Sequence, residues 1–299
     1  MKKGFTLVEL LVVIGIIGIL GGVLMASLRG STDSANNAKC LSNMKSLASA
    51  CQTYGMSSGY YPLAGSIEKM QATNSSGKKN IKMRYYELPG WLSWNSRGVY
   101  GSDTSSHCSS AGWFTSAYSS DFDARECAYT NGVIWTCISG SKSLFQCPAH
   151  LKKYASDPPA WSYVMNSYFG WDSSEGSSAR GASYSGVKFS SLSRGDKRLL
   201  FAELPFMGYE VTPDTSSGSG TKNDCVLQYE TKYGGEHIGF NHKIGKRDKC
   251  AHVCFADGHV EQLLYPKSGM GSSELRELTE WLCEAKDVAL NGDRYEKLD

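Results

Sequence analysis

Residues 4–13 read GFTLVELLVV, an apolar run behind a Met-Lys-Lys start with one carboxylate, Glu9, near its mouth. The run does not end at the charge. Leu10–Leu28 adds 19 uncharged residues, a helix of about 28 Å, close to a bilayer core of about 30 Å. A carboxylate in such a segment costs about 2.5–3.5 kcal/mol and normally faces a cation or a donor. Lys2 and Lys3 suit the cytoplasmic end of the segment, and Arg29 lies beyond its far end. The partner of Glu9 must come from elsewhere.

The stretch Lys3-Gly4-Phe5-Thr6-Leu7-Val8-Glu9 resembles the processing site of type IV pilins and type II secretion pseudopilins. That resemblance implies cleavage after Gly4 by a prepilin peptidase and methylation of the new N-terminal residue, Phe5. It also implies that the Phe5 amine of one subunit meets the Glu9 carboxylate of its neighbour in a filament, which supplies the missing cation. Two other readings of the residues remain: a secretory signal removed near Met25-Ala26-Ser27, and a plain membrane anchor.

The 299 residues divide into a leader at 1–4, a membrane or filament-core helix at 5–28, an amphipathic continuation at 29–55 and a globular remainder at 56–299. Lys+Arg 31 against Asp+Glu 29 leaves no basic excess once Lys2 and Lys3 are lost, so no nucleic-acid partner is expected. The cysteines are Cys40, Cys51, Cys108, Cys127, Cys137, Cys147, Cys225, Cys250, Cys254 and Cys283. Their even number behind a membrane-crossing N-terminus fits disulfides in an oxidising compartment, with connectivity open.

Cys40, Met44, Leu47 and Cys51 fall at offsets 0, 4, 7 and 11 on one helical stripe, so the first helix is expected to run on until Gly55 and Ser57-Ser58-Gly59. Gly15, Gly18, Gly21 and Gly22 let helices approach closely in the apolar half, and Gly21-Gly22 is a point where the helix can bend. Several stretches resemble a pseudopilin-like family that ends in a domain with a His-x9-Asp-Gly signature. They are Cys40-Leu41-Ser42-Asn43, Gly59-Tyr60-Tyr61-Pro62, Phe145-Gln146-Cys147-Pro148, Ser162-Tyr163-Val164-Met165-Asn166, Leu200-Phe201-Ala202-Glu203 and Cys254-Phe255-Ala256-Asp257-Gly258. The signature falls near 237–265, on His242, Asp257 and Gly258; here fourteen residues separate His242 from Asp257. Ala26 stands where that family often has a helix-kinking proline.

Ser/Gly-rich runs at 101–120, 172–186 and 214–221 read as surface loops. Asp257-Gly258 predicts a two-residue type I′ turn between a strand over 251–255 and one over 259–264. Ala251, Val253 and Phe255 would face the core, and Cys250, His252 and Cys254 the other side. Near the end, Ser272 or Ser273 caps a predicted helix with Leu275, Leu278, Leu282, Ala285 and Ala289 on its buried stripe, stopped by Asn291-Gly292.

No phosphate loop, nucleophile elbow or paired zinc-binding His motif is present, and neither an enzyme nor a cofactor is expected. Zinc would accept His242, Cys250, Cys254 and His259, but Cys250 and Cys254 are four apart on a strand, about 13 Å from each other. A structural hairpin without metal is therefore expected. Pseudopilins of the major type hold calcium, for which Asp121 and Asp123 are the candidates. Trp91, Trp94, Trp113, Trp135, Trp161 and Trp171 would suit a glycan-binding face or a loop-rich core.

The expected fold is α+β: a long N-terminal helix, partly in the membrane, on an antiparallel sheet with long loops and a C-terminal helix. The expected function is a structural pilin or pseudopilin, set in the bacterial inner membrane, with its globular part periplasmic or extracellular. Its expected partners are prepilin peptidase and other such subunits. The alternatives are a membrane-tethered glycan-binding protein and a displayed hydrolase.

Overall fold

A single helix, α1, runs unbroken over Leu7–Ser58. The computed structural model describes residues 7–71, 84–88, 90–93, 128–153, 161–170, 186–203, 205, 225–229, 236–244, 248–291 and 294–298. The stripe read from the sequence is the one α1 buries: Cys40, Met44, Leu47 and Cys51 are fully enclosed. Gly59 stops the helix at φ +80, with its N–H donating to Gly55 O at 2.9 Å; glycine takes this left-handed conformation without steric cost. The first part of α1 is bare. From Leu7 to Val23 every side chain is exposed, and Gly15, Gly18, Gly21 and Gly22 have open space where a Cβ would stand.

After α1, β1 (Ile67–Gln71) and β2 (Arg84–Leu88) form an antiparallel pair. A short helix, α2 (Pro148–Lys153), precedes the main sheet. The sheet contains β3 (Tyr163–Asn166), β4 (Leu199–Glu203), β5 (Val226–Leu227), β6 (His242–Ile244), β7 (Asp248–Phe255) and β8 (Val260–Leu264). The order is β5-β3-β4-β7-β6, with β8 also on β7, and every pairing is antiparallel except β3 with β5. Helix α3 (Ser272–Cys283) and the hairpin of β9 (Asp287–Asn291) and β10 (Arg294–Leu298) complete the chain.

Helices cover both faces of the sheet. Met165, Phe201, Val226 and Cys254 pack with the α1 stripe on one side. Val164, Leu199, Ala202, Leu227, Ala251, Val253 and Phe255 pack with Leu278, Leu282 and Cys283 on the other. The alternation is the two-residue period of a pleated strand. It breaks once, in β4, where Leu200 and Phe201 both join the α1 side and the register shifts between Leu199 and Phe201, as a β-bulge requires.

Several expectations change. The sheet is mixed at its β5 edge. Ala251, Val253 and Phe255 share one face as expected, but the opposite face, with Cys250, His252 and Cys254, is also buried, Cys254 packing in the cluster that holds the α1 stripe. The β7–β8 hairpin forms, but its loop has three residues: Gly258 N–H donates to Phe255 O, and only Gly258, at φ +93, is left-handed. This is a type I turn with a glycine bulge, which relieves Asp257 of the positive φ that a type I′ turn would demand. Helix α3 is capped by Gly271, whose N–H donates to Glu274 Oε2 at 2.7 Å, and it ends at Cys283. Ala285 at φ +60 breaks it, so Ala289 belongs to β9. Disulfides are absent among the described residues, where Cys40, Cys51, Cys137, Cys147, Cys225, Cys250, Cys254 and Cys283 are not disulfide-bonded. Cys108, Cys127 and nearly all of the Ser/Gly-rich runs lie outside those residues.

Candidate functional site

β8 occupies one edge of β7, so β4 and β6 must share the other: Cys254 pairs with both Val260 and Phe201, and Cys250 with both Leu264 and His242. The two strands abut end to end. Glu203, the last residue of β4, therefore meets His242, the first of β6, with His242 Nε2 2.9 Å from Glu203 Oε1. Both point to the α1 side. There Cys40 Sγ donates to the same oxygen at 2.8 Å, and Cys147, just before α2, lies with its Sγ 3.4 Å from His242 Nε2. One donor atom from each of these four buried residues falls within 4.8 Å of every other.

The surroundings hold the group in place. Tyr163 OH donates to Cys40 Sγ at 3.4 Å, and Asn43 Nδ2 donates to Tyr163 OH at 3.4 Å. Cys147 N–H donates to Ser162 Oγ at 2.9 Å. The His252 ring lies 4.0 Å from that of His242.

Burial and charge oppose each other at this site. Burial favours a neutral Glu203, but the adjacent His242 outweighs it and holds the carboxyl at about 2. Burial likewise pulls His242 down, and Glu203 carries it up to about 10. The pair is an enclosed ion pair. Burial pushes the Cys40 thiol and the Tyr163 hydroxyl upward, whereas a hydrogen bond from Cys40 lowers Cys147 against its own burial. Burial depresses His150 and His252 to about 4, so neither adds charge near neutral pH. Glu203 Oε2 is buried and has no hydrogen-bond partner among the described residues.

Of the zinc ligands considered from sequence, only His242 joins this group. His259 is half-buried at the hairpin tip, where Asp257 and Glu261 approach it at 2.6 and 3.3 Å. Asp257 and Gly258 make the β7–β8 turn, away from His242. Trp91 and Trp161 are core residues, Trp91 packing against Phe201 with ring centres 4.8 Å apart. Trp94, Trp113, Trp171, Asp121, Asp123, Gly4 and Phe5 lie outside the described residues. Sequence spacing missed Cys40, Cys147 and Glu203 as companions of His242. Each nevertheless sits in a stretch that carries the pseudopilin-like resemblance, which is the signal that pointed to them.

Glu9 is exposed on the bare half of α1. Among the described residues no helix is long and apolar enough to cross a membrane. The side chains of residues 24–31, which include the last five positions of the apolar span counted from sequence, lie outside them. The family described as "Prokaryotic N-terminal methylation motif" matches residues 1–25. A type II secretion system core protein G of Klebsiella michiganensis is 31% identical over 102 residues, 34% of this chain and 70% of that protein. The chain belongs to the type II secretion system core protein G family. Other family members match similarly: that of Klebsiella pneumoniae is 29% identical over 34% of this chain and 71% of its own length. For that of Pectobacterium carotovorum the values are 28%, 34% and 64%. No solved structure matches. As a member of this pseudopilin family the chain is a structural filament subunit, not an enzyme, with a membrane-associated, periplasmic location.

Proposed function

We propose that the chain is a pseudopilin of a type II secretion machine, cleaved after Gly4 by prepilin peptidase, methylated on Phe5 and held in the inner membrane by the first part of α1 until it assembles. The observation that carries this is the bare apolar surface of Leu7–Val23, with Leu7 75% and Ile19 71% exposed. A soluble monomer rarely leaves so much contiguous apolar surface in water; lipid covers it before assembly and neighbouring subunits cover it afterwards. Residues 1–4 are the leader, 5–28 the filament-core segment, 29–55 the part of the helix that docks on the domain, and 56–299 the domain displayed outside. Glu9 takes the Phe5 amine of the adjacent subunit. Its burial in hydrocarbon or among helices is then offset by a charge that exists only after cleavage.

The test is intact mass and N-terminal sequencing of the native protein, combined with electron microscopy of sheared filaments. The reading requires a chain that starts at methylated Phe5 and is found in filaments. A chain starting near Ser27, or a processed chain absent from any polymer, overturns it.

A further inference from the structure

We propose that Cys40, Cys147, Glu203 and His242 form a structural zinc site that fastens the N-terminal helix to the sheet. Two thiolates, one imidazole nitrogen and one carboxylate oxygen are a donor set that zinc takes in closed, four-coordinate sites. Around a tetrahedral zinc such donors stand about 3.4–3.8 Å apart. Here the separations are 2.8, 2.9 and 3.4 Å, and all four donors lie within 4.8 Å of one another. Opening the two tighter pairs by about 0.5–0.8 Å brings them to coordination distance.

Three further observations favour a metal over a plain hydrogen-bonded cluster. The donors come from α1, the turn before α2, the end of β4 and the start of β6, segments with nothing in common except that they converge here. The buried Glu203 Oε2 has no hydrogen-bond partner among the described residues and is free to complete or share the coordination. Outer contacts of the kind that orient ligands are also present: Tyr163 OH on Cys40 Sγ, Asn43 on Tyr163 OH, and the His252 ring beside His242. On binding, each thiol and the His242 imidazolium gives up a proton, so zinc with three anionic ligands and a neutral imidazole leaves a single negative charge. Calcium and magnesium, which require shells of oxygen, do not fit two sulfurs.

The experiment is metal analysis of the full chain purified in detergent without chelator, with cobalt as a spectroscopic stand-in. The wild type is expected to hold about one zinc per chain. Its cobalt form should show the intense visible bands of tetrahedral cobalt and near-ultraviolet thiolate charge transfer. Cys147→Ser and Glu203→Gln should each weaken zinc retention by at least about tenfold, while Cys250→Ser, on the same face but outside the group, should retain it. If a ligand variant does not fold, the wild type alone decides. A strong zinc chelator should lower its unfolding midpoint, and zinc, but not calcium or magnesium, should restore it. Metal-free protein that is indifferent to chelator, octahedral cobalt spectra, or a Cys40–Cys147 disulfide in the native chain overturns the proposal.

Discussion

Met44→Ala and Ile17→Ala remove similar amounts of apolar side chain from the same helix, and the structure assigns them different consequences. Met44 is wholly enclosed between α1 and the sheet, whereas Ile17 is 63% exposed. Truncating an enclosed methionine costs about 2–5 kcal/mol, from lost transfer energy plus the cavity left behind. At about 2–4 °C per kcal/mol for a domain of this size, the unfolding midpoint should fall by about 4–20 °C. Ile17→Ala should change the same midpoint by no more than about 2 °C, since an exposed site contributes within about 0.5 kcal/mol. The readout is near-ultraviolet circular dichroism of the full chain in detergent during heating, alongside filament counts from cells. Met44→Ala should lose thermal stability, and Ile17→Ala should lose filaments with the domain intact. Equal falls in midpoint for the two variants would refute the division of α1 into a docked half and a bare half.

Glu9→Gln should enter the membrane normally yet reduce filament number, because it removes the charge that meets the neighbour's amine while easing burial; normal filament levels sink this role. Gly258→Ala should cost about 1–3 kcal/mol, because Gly258 has φ +93 and its added Cβ would stand 3.0 Å from Gln52 Nε2. Gly269→Ala, at φ +81 with open space, isolates the backbone part of that cost. Asn166→Ala should lower the midpoint more than an average core truncation. It leaves Leu199 O, Cys283 O and the Tyr168 N–H without the partner they now have. Burial holds His237 below its ordinary value of 6.5, so the unfolded chain takes up a proton first as pH falls below 6.5, and stability declines with acidification. His237→Gln should flatten that decline in denaturant titrations, and an unchanged slope assigns it elsewhere.

What the sequence reveals about this fold is what neighbouring residues encode. The Cys40, Met44, Leu47 and Cys51 stripe and the Gly59 stop are set by one helix's own period, and both appear in the structure. The Asp-Gly hairpin was readable for the same reason. Its turn type was not, because the choice between a two- and a three-residue loop depends on which strand residues pair, and here Cys254 pairs with Val260. The C-terminal helix ends earlier than its period predicts, because Ala285 and Ala289 fit that period and nothing local announces that Ala285 takes φ +60. The buried cluster was the least legible. Its ligands are 39 to 163 residues apart in the pairs that touch, and they meet only because β4 and β6 share an edge of β7. The local count of His and Cys around the hairpin pointed to Cys250, Cys254 and His259 instead.

Helix α1 is also a lever. Its side chains bond to the domain from Asn37, whose Nδ2 donates to Lys243 O at 2.7 Å, to Gln52, whose Nε2 donates to Ala256 O at 3.3 Å. The fulcrum is therefore about 22 Å long, and the length of helix from Asn37 back to Leu7 about 45 Å. Any slack at the fulcrum is magnified at the tip: a tilt of about 5° displaces Leu7 by about 4 Å, most of one helical turn. A neighbour packed against that tip would lose its register. The stiffness of the seat beneath Cys40 thus sets how accurately successive subunits can be stacked, although it lies far from the surface where they touch.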